Sequence, residues 1–523
     1  MNHALTDDPR KSAKVFGGQL LLAAMLALAL LSCSRPPDPS TVVVLIENSP
    51  TNLDPRIGTD AQSERIGMLL FDSLLRRDPH FNVAPSLAER WEVPDPRTYI
   101  FHLRSGVRFH DGRPLTARDV KWTFDSLLSG AVRSARAAAY QHVERIDAPD
   151  DSTLVFHLKE PDASLLWNLT DGNVGIVPYG SGQDFNQHLV GSGPFRFVSQ
   201  QLDKEVVLER NPNYWDPSRL TKIQRVRFAV VPDANTRALE LRKGSADIAI
   251  NSFAPDTVAV LRRDPQLEVE QGPGTIYQYL AFNLRDPILK DVRVRRAIAR
   301  AIDRSPMIHY LWRDSAVPAA SILPPQSWAY DSRVAQYDYD PALAGKLLDQ
   351  AGYRPGPDGV RFHLLMKCSN VEESTRLLAA VLQQQLRQVG IALDIRSLEF
   401  GTFYADVVKG AFQVFSLRWI GGNQDPDIFE AVFSSRSFPP RRSNRGYYSN
   451  PEVDSLIDQA QGEINQAKRA QLYARIQEIL AQDEPYVNLW YLDNVLVHTR
   501  RVQNLSLSPS GDYDFLTQAQ IVH

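Results

Sequence analysis

Between Val360 and Arg396 the order of apolar and polar residues changes period twice. Val360, Phe362, Leu364 and Met366 alternate with Arg361, His363 and Lys367, the two-residue period of a strand with one buried face. Leu378, Leu382, Leu386 and Val389 then recur at helical spacing, and Gly390 stands where a left-handed cap would end the helix. Ile391, Leu393 and Ile395 resume alternation against Ala392, Asp394 and Arg396. Strand, helix, strand is the unit of a parallel sheet, so the chain is of α/β class.

Helix starts are punctuated elsewhere. Asp340 before Pro341, Asp425 before Pro426 and Asn450 before Pro451 each place a capping side chain ahead of proline at the first helical position. Thr116 followed by Asp119 has the spacing of a capping box and predicts a helix from 117 to about 128. No short internal period suggests a solenoid or propeller.

The amino-terminal segment follows other rules. Arg10, Lys11 and Lys14 precede an apolar run from Val15 to Leu31, which stops at Ser32 and Cys33. That is the pattern of a secretory signal over residues 1–32. The run is shorter than the roughly 20 residues of a membrane-spanning helix, and the Pro-rich stretch Arg35–Pro39 follows it. An uncleaved anchor is the competing reading. The chain has two cysteines; if Cys33 carries lipid, only Cys368 remains and an intramolecular disulfide is excluded.

Composition narrows the partners. A mature chain of roughly 490 residues implies about three domains on length alone, and 43% hydrophobic residues can fill cores of that size. A net charge of -3 with no long Lys/Arg run argues against a nucleic-acid partner. The 11 histidines fall outside any HExxH or Cys/His cluster, and neither a phosphate loop nor a Gly-x-Ser-x-Gly elbow occurs. No catalytic constellation, cofactor motif or metal site is read, and His110-Asp111, with His102 nearby, is assigned to a turn of the scaffold.

A long run of motifs carries a family resemblance. The stretch from Pro85 to Phe124, then GSGPF at Gly191–Phe195, RNPNYW at Arg210–Trp215 and LAFNL at Leu280–Leu284 resembles the family 5 solute-binding proteins of ABC importers. DVRVRRAIARAIDR at Asp291–Arg304, YDYDPALAGKLLDQAGY at Tyr337–Tyr353 and YYSNPEVDSLI at Tyr447–Ile457 complete the series.

The resemblance implies a two-lobed type II periplasmic binding protein with an extra domain inserted in the first lobe. It assigns residues 33–40 to a lipid-anchor linker, 41–80, 190–280 and 490–523 to lobe 1, 81–189 to the insertion and 281–489 to lobe 2. Crossings near Leu280 and Tyr491 would form the hinge. Separately, Leu30, Leu31 and Ser32 before Cys33 resemble a lipobox, so Cys33 would be the acylated cysteine of a lipoprotein held at the periplasmic or extracellular face, with Ser34 compatible with outer-membrane sorting. The implied function is capture of peptides, with oligopeptides favoured, and delivery to a membrane permease and its ATPase by a monomeric, non-enzymatic receptor.

The resemblance also implies where the ligand sits. Thr59, Asp60 and Ala61, in the loop after Asp54-Pro55, would face it from the first lobe; Trp419, Gly421, Gly422, Asn423 and Asp425 would face it from the second. The Trp419 indole either stacks on the ligand or fills the core. Peptide-binding members often place an aspartate for the ligand ammonium three residues after that tryptophan, where this chain has Gly422. Asp425 is the nearest substitute, though its place before Pro426 also fits helix capping; Asp60 and Glu430 are further candidates. An arginine that pairs the ligand carboxylate in dipeptide receptors is replaced by Ser369. These departures leave open a non-peptide ligand on the same scaffold, such as an oligosaccharide, metallophore or heme, while free nickel is disfavoured.

Overall fold

A computed structural model describes residues 39–522 apart from 171, 173, 335, 372, 422 and 423. The strand–helix–strand unit read from the sequence is Phe362–Ser369, Glu373–Gln388 and Ile391–Leu398. Its strands are parallel, with Phe362 opposite Ile391 and Ser369 opposite Leu398. Leu378, Leu382 and Leu386 are buried under the sheet, and Gly390 has φ of +83°, the left-handed conformation that costs glycine little.

This unit lies at one end of a long mixed sheet. Its strands run in the order Ile391–Leu398, Phe362–Ser369, Val414–Trp419, Leu267–Phe282, Tyr486–Thr499, Ile248–Ile250, Thr41–Ile46, Arg225–Val230, Glu205–Arg210 and Phe195–Gln201. The two long central strands, Leu267–Phe282 and Tyr486–Thr499, pair antiparallel from Leu267–Thr499 to Ala281–Tyr486.

Those two strands change cores part-way along. Leu267 and Val497 pack with Val43, Leu45 and Ala249. Leu280, Val487 and Leu492 pack with Val294, Leu364 and Leu382. The pairing is irregular between Gly272 and Ile276, where the core changes. A side chain at Gly274 would place its Cβ 2.2 Å from the Leu492 carbonyl oxygen, so the bulge depends on the absence of one. The handover falls a few residues before Leu280 and just after Tyr491.

A separate antiparallel sheet, ordered Ala88–Asp95, Thr98–Leu103, Thr153–Leu158, Val143–Asp147, packs on the helix Ala117–Leu128. That helix begins with the expected capping box: the Asp119 carboxylate accepts from the Thr116 N–H at 2.8 Å and from its hydroxyl at 2.9 Å. Phe101, Phe124, Tyr140 and Phe156 form its aromatic core in edge-to-face pairs.

Two sequence motifs meet in one buried hub. Asp72 accepts hydrogen bonds from Tyr214 Oη at 2.7 Å, Trp215 Nε1 at 2.9 Å and Ser192 Oγ at 2.8 Å, which joins RNPNYW to GSGPF. His110 lies alongside. Its Nδ1 accepts from the Gly191 N–H at 3.2 Å and its Nε2 is 3.1 Å from the Gly193 carbonyl, while burial lowers its pKa to about 4. His110 is therefore a neutral strut between two backbone groups.

The proline-marked starts at 341 and 451 are helices Pro341–Gln350 and Pro451–Gly462, capped by Asp340 and Asn450. The third expectation is corrected, because the regular helix after Asp425-Pro426 is Ile428–Phe433. Its approach is made of tight turns, Ile428 N–H to Asp425 O at 3.2 Å and Phe429 N–H to Pro426 O at 3.1 Å. The helical ladder thus starts two residues late.

Candidate functional site

The first wall is built on a buried ion pair. Arg56 and Asp54 are fully buried and bonded in bidentate fashion, at 3.0 Å through Nε and 2.8 Å through Nη2. The remaining guanidinium protons go to Ser126 Oγ and the carbonyls of Ser181 and Gly182. With every donor matched, such a pair fixes geometry, and here it fixes the start of the loop that leads to Thr59, Asp60 and Ala61.

In that loop Thr59 and Ala61 are exposed and Asp60 is half-buried. Asp60 caps the helix Ala61–Leu70 by accepting from the Ser63 N–H at 2.9 Å, and its other oxygen accepts from Thr51 and the Ser63 hydroxyl. Burial acts to raise its pKa, but the hydrogen bonds from Ser63 and Thr51 outweigh it and hold the carboxyl below its ordinary value. Asp60 is a helix cap already engaged through both oxygens.

Behind the loop, Arg136 donates to the Gly58 carbonyl and to Glu64 Oε1, the latter at 3.0 Å. Burial raises the Glu64 pKa against the pull of Arg136 and Arg77. The hollow between Gly58, Glu64, Gly67 and Arg136 has a volume of about 20 Å³, room for one water.

The second wall lies at the carboxyl ends of Phe362–Ser369, Ile391–Leu398 and Val414–Trp419, which run parallel. Ligands of open α/β sheets bind at such ends, because the connecting loops diverge there. Trp419 ends its strand opposite Tyr277; its ring is half-buried beneath Arg445, 5.4 Å from the ring centre. Gly421 has φ of +71°. Gly422 and Asn423 lie outside the described residues, as does Cys33.

Past this point the loop reaches the opposite side. Arg77 Nη1 donates to Gln424 Oε1 at 2.6 Å, and Gln424 Nε2 is 3.4 Å from Thr275 Oγ1. Arg77 also lies over the Trp167 ring at 5.4 Å. A second set of contacts lies nearby: the Ala163 N–H donates to the Gln461 carbonyl at 2.9 Å, and Arg469 donates to Ser164 Oγ at 2.9 Å.

Asp425 is buried beside that second set and accepts from the Asp427 N–H at 2.7 Å. Burial pushes its carboxyl up to about 7, against Arg469 and with a further push from Asp427. Glu430 is bound by Ser437 at 2.7 Å and by Arg442 at 2.7 Å. Each carboxylate considered for a ligand ammonium thus has a partner within the protein.

The structure places Thr59 and Asp60 just ahead of the helix that Ala61 begins, and Trp419 at the end of its strand with Gly421 and Asp425 in the loop that follows. It adds Arg77, Gln424, Trp167 and Arg445, which sequence reasoning missed. For Arg77 and Gln424 no sequence signal existed, since their meeting depends on chain segments far apart.

Two α/β lobes sharing a pair of long strands, with loops at strand ends facing across, define a two-lobed solute-binding protein. The chain matches the model of bacterial extracellular solute-binding proteins, family 5 Middle, over residues 82–438, and it belongs to that family of ABC-importer components. It is 30% identical over 529 residues to the probable di/tripeptide-binding protein 5 of Pseudomonas aeruginosa, covering 95% of this chain and 98% of that one. It is 27% identical over 507 residues to the glutathione-binding protein GsiB of Escherichia coli, covering 95% and 97%. The Helicobacter pylori periplasmic binding protein DppA, solved with the peptide STSA, superposes with a TM-score of 0.73 at 25% identity, covering 92% of this chain and 98% of that one. These relatives are binding proteins of transporters. Among the described residues no helix is long and apolar enough to cross a membrane.

Proposed function

We propose that this protein captures peptides, oligopeptides included, between its two lobes outside the cytoplasm and hands them to the permease and ATPase of an ABC importer. The observation that carries this reading is the loop from Trp419 to Asp427, which leaves the carboxyl end of one lobe's sheet and bonds Arg77 and Thr275 through Gln424. A loop that contacts both sides of a cleft is placed to report whether the cleft is filled. The hinge is assigned to Gly272–Thr275 and Leu492–Asn494, where the long strands change cores, and Cys33 is assigned the lipid anchor of a monomeric receptor.

Native mass spectrometry of the purified mature protein tests the ligand. A ladder of peptide masses released from the protein is the expected result; a single non-peptidic mass defeats the peptide reading. Replacing Cys33 by serine should release the protein from the membrane fraction, and retention there would overturn the lipid anchor.

One observation favours a second reading, a non-peptide ligand such as an oligosaccharide, metallophore or heme. Asp60, Asp425 and Glu430 all have internal partners, and Gly422 supplies no carboxylate, so a peptide ammonium would have to be buried without a counter-ion. If peptides bind by backbone hydrogen bonds alone, N-acetylated and free forms should bind equally; a strong preference for the free amine would refute that mode.

A further inference from the structure

Among the described residues, the second wall holds a buried cation whose side chain meets no carboxylate or carbonyl. Five described arginines are at least nine-tenths buried: Arg56, Arg237, Arg295, Arg445 and Arg469. Arg56 has the Asp54 carboxylate and two carbonyls. Arg237 donates to the carbonyls of Val231, Pro232 and Ser252, and Arg295 to those of Leu289, Lys290, Asp483 and Glu484. Arg469 has the carbonyls of Ala460 and Ala163, with Asp427 at 3.5 Å.

Arg445 has none of these. Its side-chain acceptors are hydroxyls, Tyr404 Oη at 2.9 Å and Ser443 Oγ at 3.4 Å, with the Tyr279 hydroxyl also acting on the guanidinium. Otherwise it lies over the rings of Tyr404 and Trp419, at 5.3 and 5.4 Å from their centres. Aromatic faces return only part of the hydration that a buried guanidinium gives up. Beside it, Trp419 Nε1 is buried with no hydrogen-bond partner. An unpaired cation and an unpaired donor side by side lack the same thing, an anionic acceptor.

Their position says where that acceptor comes from. Trp419 ends its strand, and Tyr404 lies on the helix Phe400–Val408 that follows the neighbouring strand Ile391–Leu398. Both are therefore at the loop edge beyond which Gln424 reaches across to Arg77. Ile420, Phe400 and Tyr404 are 65%, 47% and 37% exposed there, and Tyr404 packs directly on Arg445.

We propose that Arg445 is the anion anchor of the ligand site, binding a peptide carboxylate that also accepts from Trp419 Nε1. This rests on the interlobe peptide reading above. The carboxylate is either the peptide's terminal carboxyl or an acidic side chain, which share the planar geometry that a guanidinium matches.

The test is calorimetric binding of an equimolar tripeptide mixture, as free acids and as carboxyl-terminal amides, with sub-mixtures in which Glu and Asp are replaced by Gln and Asn. The native protein is expected to lose at least tenfold in affinity on amidation if the terminal carboxyl is bound, or on the side-chain exchange if an acidic side chain is bound. Arg445→Gln should reduce that ratio below twofold, and Arg445→Lys should restore part of it. Equal binding of all mixtures by the native protein overturns the proposal without need of any variant, as does a ratio that survives in Arg445→Gln. If the native protein binds none of the mixtures and its native mass spectrum shows no bound peptide, the peptide reading itself fails and this inference falls with it.

Discussion

Asp72 and Arg445 are both buried charges, and the fold treats them in opposite ways. Asp72 is surrounded by three donors drawn from two separate motifs, one for each lone pair that points at a neighbour. Arg445 has hydroxyls and two ring faces. Where a fold must hold shape, it completes its own polar groups; where it must bind something else, an incomplete set is the useful one.

That difference can be broken first at Asp72. Asp72→Ala strands three donors, two of them buried and one half-buried, and a loss of about 3–5 kcal/mol is expected by the measure of other broken buried networks. Chemical denaturation reads it directly, and a loss below 1 kcal/mol would show that the hub is not what ties the two motifs together.

Asp425 gives the next largest effect, through pH. Its folded pKa of about 7 lies above the ordinary value of 3.8, so the folded state holds the proton more tightly than the unfolded one. Its contribution is most favourable below about pH 4, falls as pH rises through about 7, and is level beyond. Arg469, Asp427 and Asp162 are the charged neighbours that set the shift. Asp425→Asn should remove this fall and gain on the order of 2 kcal/mol over the native protein at pH 8. Identical pH dependence of the two melting curves would mean that the carboxyl is ionised in the fold.

Asp60→Ala removes a helix cap and should cost about 1 kcal/mol, with binding altered only through the loop's position. Arg445→Met is the sharpest contrast and the smallest effect. Exchanging an unpaired buried cation for an apolar side chain should change stability by about 1 kcal/mol or less, in either direction. A cost as large as that of Asp72→Ala would mean that Arg445 is structural after all.

The same contrast explains what could be read before the fold was seen. The strand–helix–strand unit from Phe362 to Leu398 was legible because periodicity is local. GSGPF and RNPNYW were legible as runs, though nothing in them said that Ser192, Tyr214 and Trp215 would converge on Asp72. The helix at Asp425-Pro426 was read two residues early because tight turns precede its ladder. Arg445 went unremarked among its neighbours in RRSNRGYY, because what sets it apart is an absence: the acceptors it fails to meet, judged against four other arginines.

One consequence concerns mechanics. The two long strands run unbroken from one core to the other inside a single sheet, with their ladder interrupted only around Gly272–Ile276 and at Gln278–Tyr279. Lobes joined in this way would not swing like doors on a loose pin; closure would work against the stiffness of a twisted ribbon, softened where pairing lapses. On the hinge proposed above, the joint would behave as a torsion bar with its own resting angle, most easily wound at the three residues between Gly272 and Ile276, where pairing lapses.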